Sequence, residues 1–278
     1  CMLYKFKNLD EESNTLDAEN MIDNLINHYT SDYSNRQFDL KAIFPFMQKS
    51  HMFTTGQLIT VIGDTGLGKT AFVSYLITQL YHLKTVFLSL EVDEYTMSRR
   101  FLQAGMKMSK PEIIHFLKNS DKDLKEKAKK SIQHIKLNCV SPDIQDLSSY
   151  VAEEEAKIQV VDTIDRVPAK YAGKDDFGRQ EAIANGLKDL AMKEDVMVIA
   201  IHHISKSASY NAKQTNSLDV HSGKGNSSIE QKSDQFIAFE GKEFSKQRLV
   251  RSLKARDEAK FEISLNFNWE TFTFGKRN

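Results

Sequence analysis

The chain has 278 residues, 40% hydrophobic and 27% charged, which allows one large domain or two small ones around a substantial core. Lys plus Arg and Asp plus Glu both number 38, so the net charge is zero. That excludes an overall basic coat for nucleic acid and leaves room only for local basic grooves or loops. Two cysteines, Cys1 and Cys139, exclude a disulfide framework and point to a reducing compartment. No apolar run approaches the ~20 residues of a bilayer span, and the opening MLYKFKNLDEES is too polar for a secretory signal. No membrane partner and a cytoplasmic location are therefore expected.

Taken in chain order, the first element is helical. Leu16, Met21, Ile22, Leu25, Ile26 and Tyr29 fall on one face of a helix over 15–29, with Asp17 and Glu19 near its start, where the helix dipole favours acids. The polar stretch TSDYSNRQ and the apolar patch AIFPFM follow, so residues 1–50 read as a linker carrying a short amphipathic helix. Periodicity alone favours packing of this helix on its own domain over docking on a neighbour.

After Gly56 the pattern changes to alternation. Short apolar runs rich in Val, Ile and Phe stand at 57–62, 85–90, 158–161, 196–201 and 234–239, with helical stretches such as AFVSYLITQLYHL and EAIANGLKDLAMK between them. This predicts an α/β fold over 51–278, a mainly parallel sheet flanked by helices. The tail QRLVRSLKARDEAKFEISLNFNWETFTF has no helical interruption and predicts antiparallel strands added at one edge. Long loops at 165–178 and 205–228 are expected to be functional or disordered.

The chemistry begins at GDTGLGKT. Gly63, Gly68, Lys69 and Thr70 match GxxxxGK[ST], with Gly66 as a further glycine, a strand before and a helix after. Glycines let consecutive backbone N–H groups curl around a phosphate, and the helix adds its positive N-terminal end. Asp64, Thr65, Leu67 and Ala71 complete the nucleotide-binding stretch. Lys69 is expected to reach the outer phosphates and Thr70 to offer its hydroxyl to Mg²⁺, so ATP and Mg²⁺ are the expected cofactors.

Hydrolysis also needs a second acid for the metal and a group that orients water. IQVVD ends at Asp162, and VFLSL is followed by Glu91, a candidate water-activating base. VMVIAI ends in His202 and His203, which lack a third ligand at zinc spacing.

This ordered set resembles the DnaB-like replicative helicases, within the RecA-like ATPases, from about Leu16 to Phe274. GDTGLGKTAF is similar to their Walker A, FLSLEVDEYTMSRRFL to the segment carrying the catalytic glutamate, and IQVVDTID to their Walker B strand. VMVIAIHHISKS is similar to the strand ending in a γ-phosphate-sensing glutamine, SGKGNSSIEQKSD to the DNA loop, and SLKARD to a Lys-x-Arg element that reaches the neighbouring subunit's site. The resemblance implies Glu91 as catalytic base, Asp162 as the magnesium acid, His203 as sensor, and Arg256 with Lys254 acting in trans. It implies a homo-oligomeric ring of six on single-stranded DNA, with the helix at 15–29 docking on the adjacent subunit. Arg166, Lys170 and Lys174 in the first loop, and Lys206, Lys213, Lys224, Gly225 and Asn226 in the second, are the implied DNA contacts; Tyr171 and Tyr210 offer stacking faces.

There are two departures from the family pattern. His203 replaces glutamine, which predicts pH-sensitive activity between about pH 6 and 8. Asp257 and Glu258 replace the glycine that often follows Lys-x-Arg. The helical collar and primase module of the cellular helicases are not seen in this sequence, so a phage- or plasmid-type helicase in the host-cell cytoplasm, or an isolated motor domain, is expected. A primase or a helicase loader is the further partner implied. Rival readings are a RecA-like recombinase or signalling ATPase, and a nucleotide-gated DNA-binding or loader module with little turnover; a small-molecule kinase is a third.

Overall fold

The computed structural model describes residues 18–30, 33–119, 122–170, 176–205, 210, 217–219, 221–223, 227–242 and 244–277. They divide into two units, Cys1–Ser34 and Asn35–Asn278. The first holds α1 (Ala18–Thr30), on which Met21, Ile22, Leu25 and Ile26 are all exposed. Leu16, expected on the same face, lies outside the described residues.

The larger unit opens with β1 (Gln37–Asp39) and α2 (Leu40–Ile43), and β1 pairs antiparallel with β2 (Met52–Thr54). The Asp39 carboxylate caps α2 by accepting from the Lys41 N–H, and it also accepts from the His51 N–H. Phe38, Leu40 and Phe44 are buried, and Phe44 stacks near Phe72 at 6.3 Å between centroids. The apolar patch that reads as linker in the sequence is thus part of this unit's core.

A nine-stranded sheet runs through the described residues in the order β11-β10-β9-β8-β3-β7-β6-β4-β5. The strands β3 (Leu58–Gly63), β4 (Thr85–Ser89), β5 (Ile135–Asn138), β6 (Ile158–Asp162), β7 (Met197–His203) and β8 (Gln235–Gly241) are mutually parallel. β9 (Gln247–Ala255), β10 (Glu262–Asn268) and β11 (Thr273–Lys276) add antiparallel at one edge, as the uninterrupted tail predicts. β5 was not foreseen: it is a half-exposed edge strand, IKLN, without the apolar run that marks a central one.

Period-two alternation buries both faces of the sheet. On β3, Ile59 and Val61 enter one apolar cluster while Leu58 and Ile62 enter the other; on β7, Met197, Ile199 and Ile201 oppose Val198 and Ala200. The first cluster takes up α3 (Lys69–Gln79) and α4 (Glu94–Met106), with α5 (Lys110–Asn119) and α6 (Lys122–Ile132) stacked on α4. The second takes up α7 (Leu147–Glu153), α8 (Asp176–Lys193) and the short helix Ser228–Lys232, here α9. Each fully buried Leu, Ile or Phe contributes about 1.5–3 kcal/mol, against about 0–1 for an exposed pair such as Lys84–Glu155. The two layers, rather than surface charge, hold the sheet. No helix among the described residues is long and apolar enough to cross a membrane.

Candidate nucleotide-binding and hydrolysis site

Parallel register decides what meets at the sheet's edge. Gly63 pairs with His203, Asp162 with Ile201, and Ser89 with Asp162. The carboxyl ends of β3, β7, β6 and β4 therefore emerge side by side, where an open α/β sheet binds ligands. Four segments distant in sequence become one site by this pairing.

The phosphate loop leaves β3 at Gly63, where a Cβ would lie 2.4 Å from the Phe239 carbonyl oxygen of β8. Only glycine permits that approach. Gly66 lines the cleft for a different reason: a Cβ there would meet nothing within 4 Å, but its φ of 81° is left-handed backbone that glycine adopts without strain. Lys69 opens α3 and is buried; its Nζ donates to the carbonyls of Gly63 (2.8 Å) and Asp64 (3.0 Å). Burial pushes the ammonium's pKa down, while Asp162, Glu91 and Asp64 pull it back up. Thr65 N–H donates to Asp64 Oδ1 at 2.9 Å, and Ala71 packs in the core.

Thr70 Oγ1 donates to Asp162 Oδ2 at 2.7 Å. Asp162 is fully buried at the tip of β6, and burial, reinforced by Glu91, pushes its carboxyl up to about 6 against the Thr70 hydrogen bond. Its Oδ1 is buried with no hydrogen-bond partner among the described residues. A hydroxyl beside an unsatisfied carboxylate oxygen is the hard-oxygen chemistry that Mg²⁺ requires, with phosphate and water completing the shell. Among the described residues there is no cluster of three or more His, Cys, Asp or Glu suited to a metal.

His203 sits between the remaining parts. Its Nε2 is 3.5 Å from Glu91 Oε1, and its Nδ1 is 3.4 Å from Thr65 Oγ1. Burial, with Lys69 adding to it, lowers its pKa below 6.5, so the imidazole is neutral at pH 7. The expected pH-sensitive range therefore moves down, to below about pH 6.5. The His203 N–H donates to Asp165 Oδ2 (3.3 Å); the same carboxylate accepts from Thr163 Oγ1 (3.0 Å) and lies 3.3 Å from His202 Nδ1. Although burial opposes it, the His202 side chain holds the Asp165 carboxyl well below the usual range. Asp165 thus ties the ends of β6 and β7 together.

These groups frame an open cleft of about 210 Å³ whose lining also includes Arg100, Trp269 and Phe272. The Arg100 guanidinium lies 5.3 Å from the Phe272 ring centroid, and Trp269 is 41% exposed. An aromatic shelf beside a phosphate cradle suits a nucleobase. Sequence reasoning assigned none of these three a role. Trp269 is the chain's single tryptophan, the one local signal that pointed to it.

Lys254 and Arg256 do not join the cluster. β9 runs antiparallel to β8, so Arg248 pairs with Gly241 at the nucleotide edge while Ala255 pairs with Gln235 at the other end. Eight residues of strand place Arg256 roughly 26 Å from Arg248. There Lys254 Nζ donates to the carbonyls of Glu230 (2.7 Å) and Gln231 (3.0 Å), and Arg256 bonds Gln231 O (2.8 Å) and Asp234 (3.3 Å). Both cap the C-terminal end of α9, where cations are favoured.

Of the expected DNA contacts, Arg166 and Lys170 are exposed near the β6 end, and Tyr210 is 64% exposed. Lys174, Lys206, Lys213, Lys224, Gly225, Asn226 and Tyr171 lie outside the described residues. Gly223, just before Lys224, bridges to Ile204, the residue after His203.

The sequence matches the AAA domain family over residues 49–209. Among solved structures, the chain is similar to the ATPase domain of another protein, at 17% identity and TM-score 0.69, over 81% of this chain and 86% of that one. It is also similar to a DnaB-like replicative helicase described with its interactions with primase, at 17% identity and TM-score 0.70, over 81% of this chain and 58% of that one. At such identity the likeness is one of fold. No curated protein matches the sequence.

Proposed function

The chain belongs to the AAA domain family and has the fold of DnaB-like helicase ATPase domains; from that premise we propose that it is an ATP-dependent DNA helicase motor that moves along single-stranded DNA as a ring. The observation that carries this reading is the row of strand tips with Lys69, Thr70, Glu91, Asp162 and His203 around one cleft. Lys254 and Arg256, by contrast, stand at the far end of the sheet.

Glu91 takes the proton of the attacking water as its oxygen bonds the γ-phosphorus, the bond to the bridging oxygen breaks, and ADP and phosphate leave. Lys69 and the loop N–H groups bind the phosphates, and His203 donates a hydrogen bond to the γ-phosphate. Thr70 and Asp162 would hold a Mg²⁺ ion, which would supply neutralising charge to the phosphates. Arg256, with Lys254, completes the site of the adjacent subunit, since neither reaches its own. Head-to-tail contacts of this kind close into a ring where the rotation between subunits allows it, and the proposed ring has six.

The bridge from Ile204 to Gly223 connects the sensor strand to the expected DNA loop, so a change at His203 has a short path to that loop. Arg166 and Lys170, with the basic residues of 174–226, follow the DNA backbone without reading bases. The exposed apolar face of α1 docks on the adjacent subunit, and a primase or loader is the further partner this reading implies.

The test is the ATPase rate with and without single-stranded DNA across protein concentration, with Arg256→Ala mixed into the parent. DNA stimulation that rises cooperatively and is poisoned by the variant is the expected result. A low rate indifferent to DNA, concentration and variant would replace the motor with a nucleotide-gated binding module.

A further inference from the structure

Arg248 is absent from every motif in the sequence, yet it is 2% exposed and lies against the outer side of the phosphate loop. Its Nε donates to the Leu67 carbonyl at 2.6 Å, across a sequence separation of 181 residues. Its Nη1 donates to the carbonyls of Ser245 (2.6 Å) and Gln247 (2.7 Å), fixing the guanidinium to the start of β9. The rings of Phe267 and Trp269 flank it at 5.8 and 5.5 Å. Space for the side chain is built in: a Cβ on Gly241, across the β8–β9 pair, would come within 2.9 Å of Arg248 Cδ.

In a planar trans peptide the carbonyl and the next N–H point in opposite directions. Holding the Leu67 carbonyl outward therefore turns the Gly68 N–H the other way, toward the cleft, where the loop needs a donor. No carboxylate lies within ion-pair distance of Arg248 among the described residues, and its Nη2 is buried without a partner. An un-neutralised cation on the loop's outer wall favours an anion in its cradle.

We propose that Arg248 is a positioning residue of the phosphate loop, orienting the Gly68 N–H through the Leu67 carbonyl and adding a buried positive charge behind the bound phosphates. The inference rests on the nucleotide site proposed above. It concerns the phosphates rather than the base, which separates it from the alternative that Arg248 only supports the Trp269 shelf.

Binding of two probes to the full chain distinguishes these, each with Mg²⁺: the slowly hydrolysed analogue ATPγS, and inorganic tripolyphosphate, which has no base. Arg248→Met is expected to weaken both by about tenfold or more, the effect of losing one buried charge-assisted donor. Arg248→Lys keeps the charge without the fork and is expected to weaken both by a smaller factor; it carries the test if the Met variant does not fold. Tripolyphosphate affinity equal to the parent's in the folded variants, with loss confined to ATPγS, would overturn the proposal in favour of the shelf. Lys69→Ala serves as control. If it abolishes tripolyphosphate binding while both Arg248 variants retain it, only the Arg248 inference fails; if it binds like the parent, the phosphate-loop reading fails with it.

Discussion

Glu91 and His203, two side chains 3.5 Å apart, line one cleft, and the proposed mechanism gives them different tasks. Glu91 is exposed at the edge of the cleft, and among the described residues its ion-pair contact is with His203, which leaves the carboxylate open to accept a proton. Glu91→Gln is expected to lower the ATPase rate by about 10²–10⁴-fold while nucleotide binding, measured by titration, is retained. His203 behaves differently. Its folded-state pKa is lowered, so the neutral imidazole prevails above about pH 6.5 and is lost as pH falls below that. His203→Gln is expected to remove part of the acid limb of the rate–pH profile and leave the limb above about pH 7 unchanged. Identical profiles would show that the imidazole does not titrate in turnover. In the proposed site Asp162 is expected to supply the remaining acid sensitivity, because its carboxyl, raised to about 6, would bind a proton in competition with Mg²⁺.

At the scale of elements, α3 is both the end of the phosphate loop and the middle of the core. Phe72 is 1% exposed and packs on Phe44, Phe239 and Phe274 with centroids 6.3, 5.3 and 5.5 Å away. Those partners come from the α2 segment, β8 and β11, so one ring joins the N-terminal patch, the parallel sheet and the antiparallel edge. Phe72→Ala is expected to cost about 3–5 kcal/mol in chemical denaturation. Because α3 carries Lys69 and Thr70, nucleotide affinity should fall with it. The core face of this helix was legible as an apolar stretch after GKT. Its partners were not, since periodicity reports that a residue is buried without saying against what.

The whole molecule turns on surfaces that the described chain leaves uncovered. Met21, Ile22, Leu25 and Ile26 on α1 are 47–57% exposed. An apolar helix face in water calls for a partner, and in the proposed ring that partner is the next subunit. Leu25→Asp is expected to shift sedimentation toward monomer and to reduce DNA-stimulated ATPase at low protein concentration, with recovery at high concentration. Unchanged assembly would assign the face another role. Arg256 is the complementary case: it caps α9 within its own chain, and its proposed role requires an adjacent copy to bring it near a phosphate.

By itself the sequence determined the phosphate loop, the alternation of strand and helix, the antiparallel tail, and the acids and histidine at strand ends. These are local properties, set by glycine spacing, by two-residue and 3.6-residue periodicities, and by the position of a polar residue after an apolar run. Only the tertiary structure decided which strand ends become neighbours, because β3, β7, β6 and β4 are adjacent in an order the chain does not follow. It alone brought Arg100, Trp269 and Arg248 to the nucleotide site and carried Arg256 to the opposite end. Those outcomes depend on strand pairing and direction between segments far apart in the chain, and no local pattern encodes a contact at that distance.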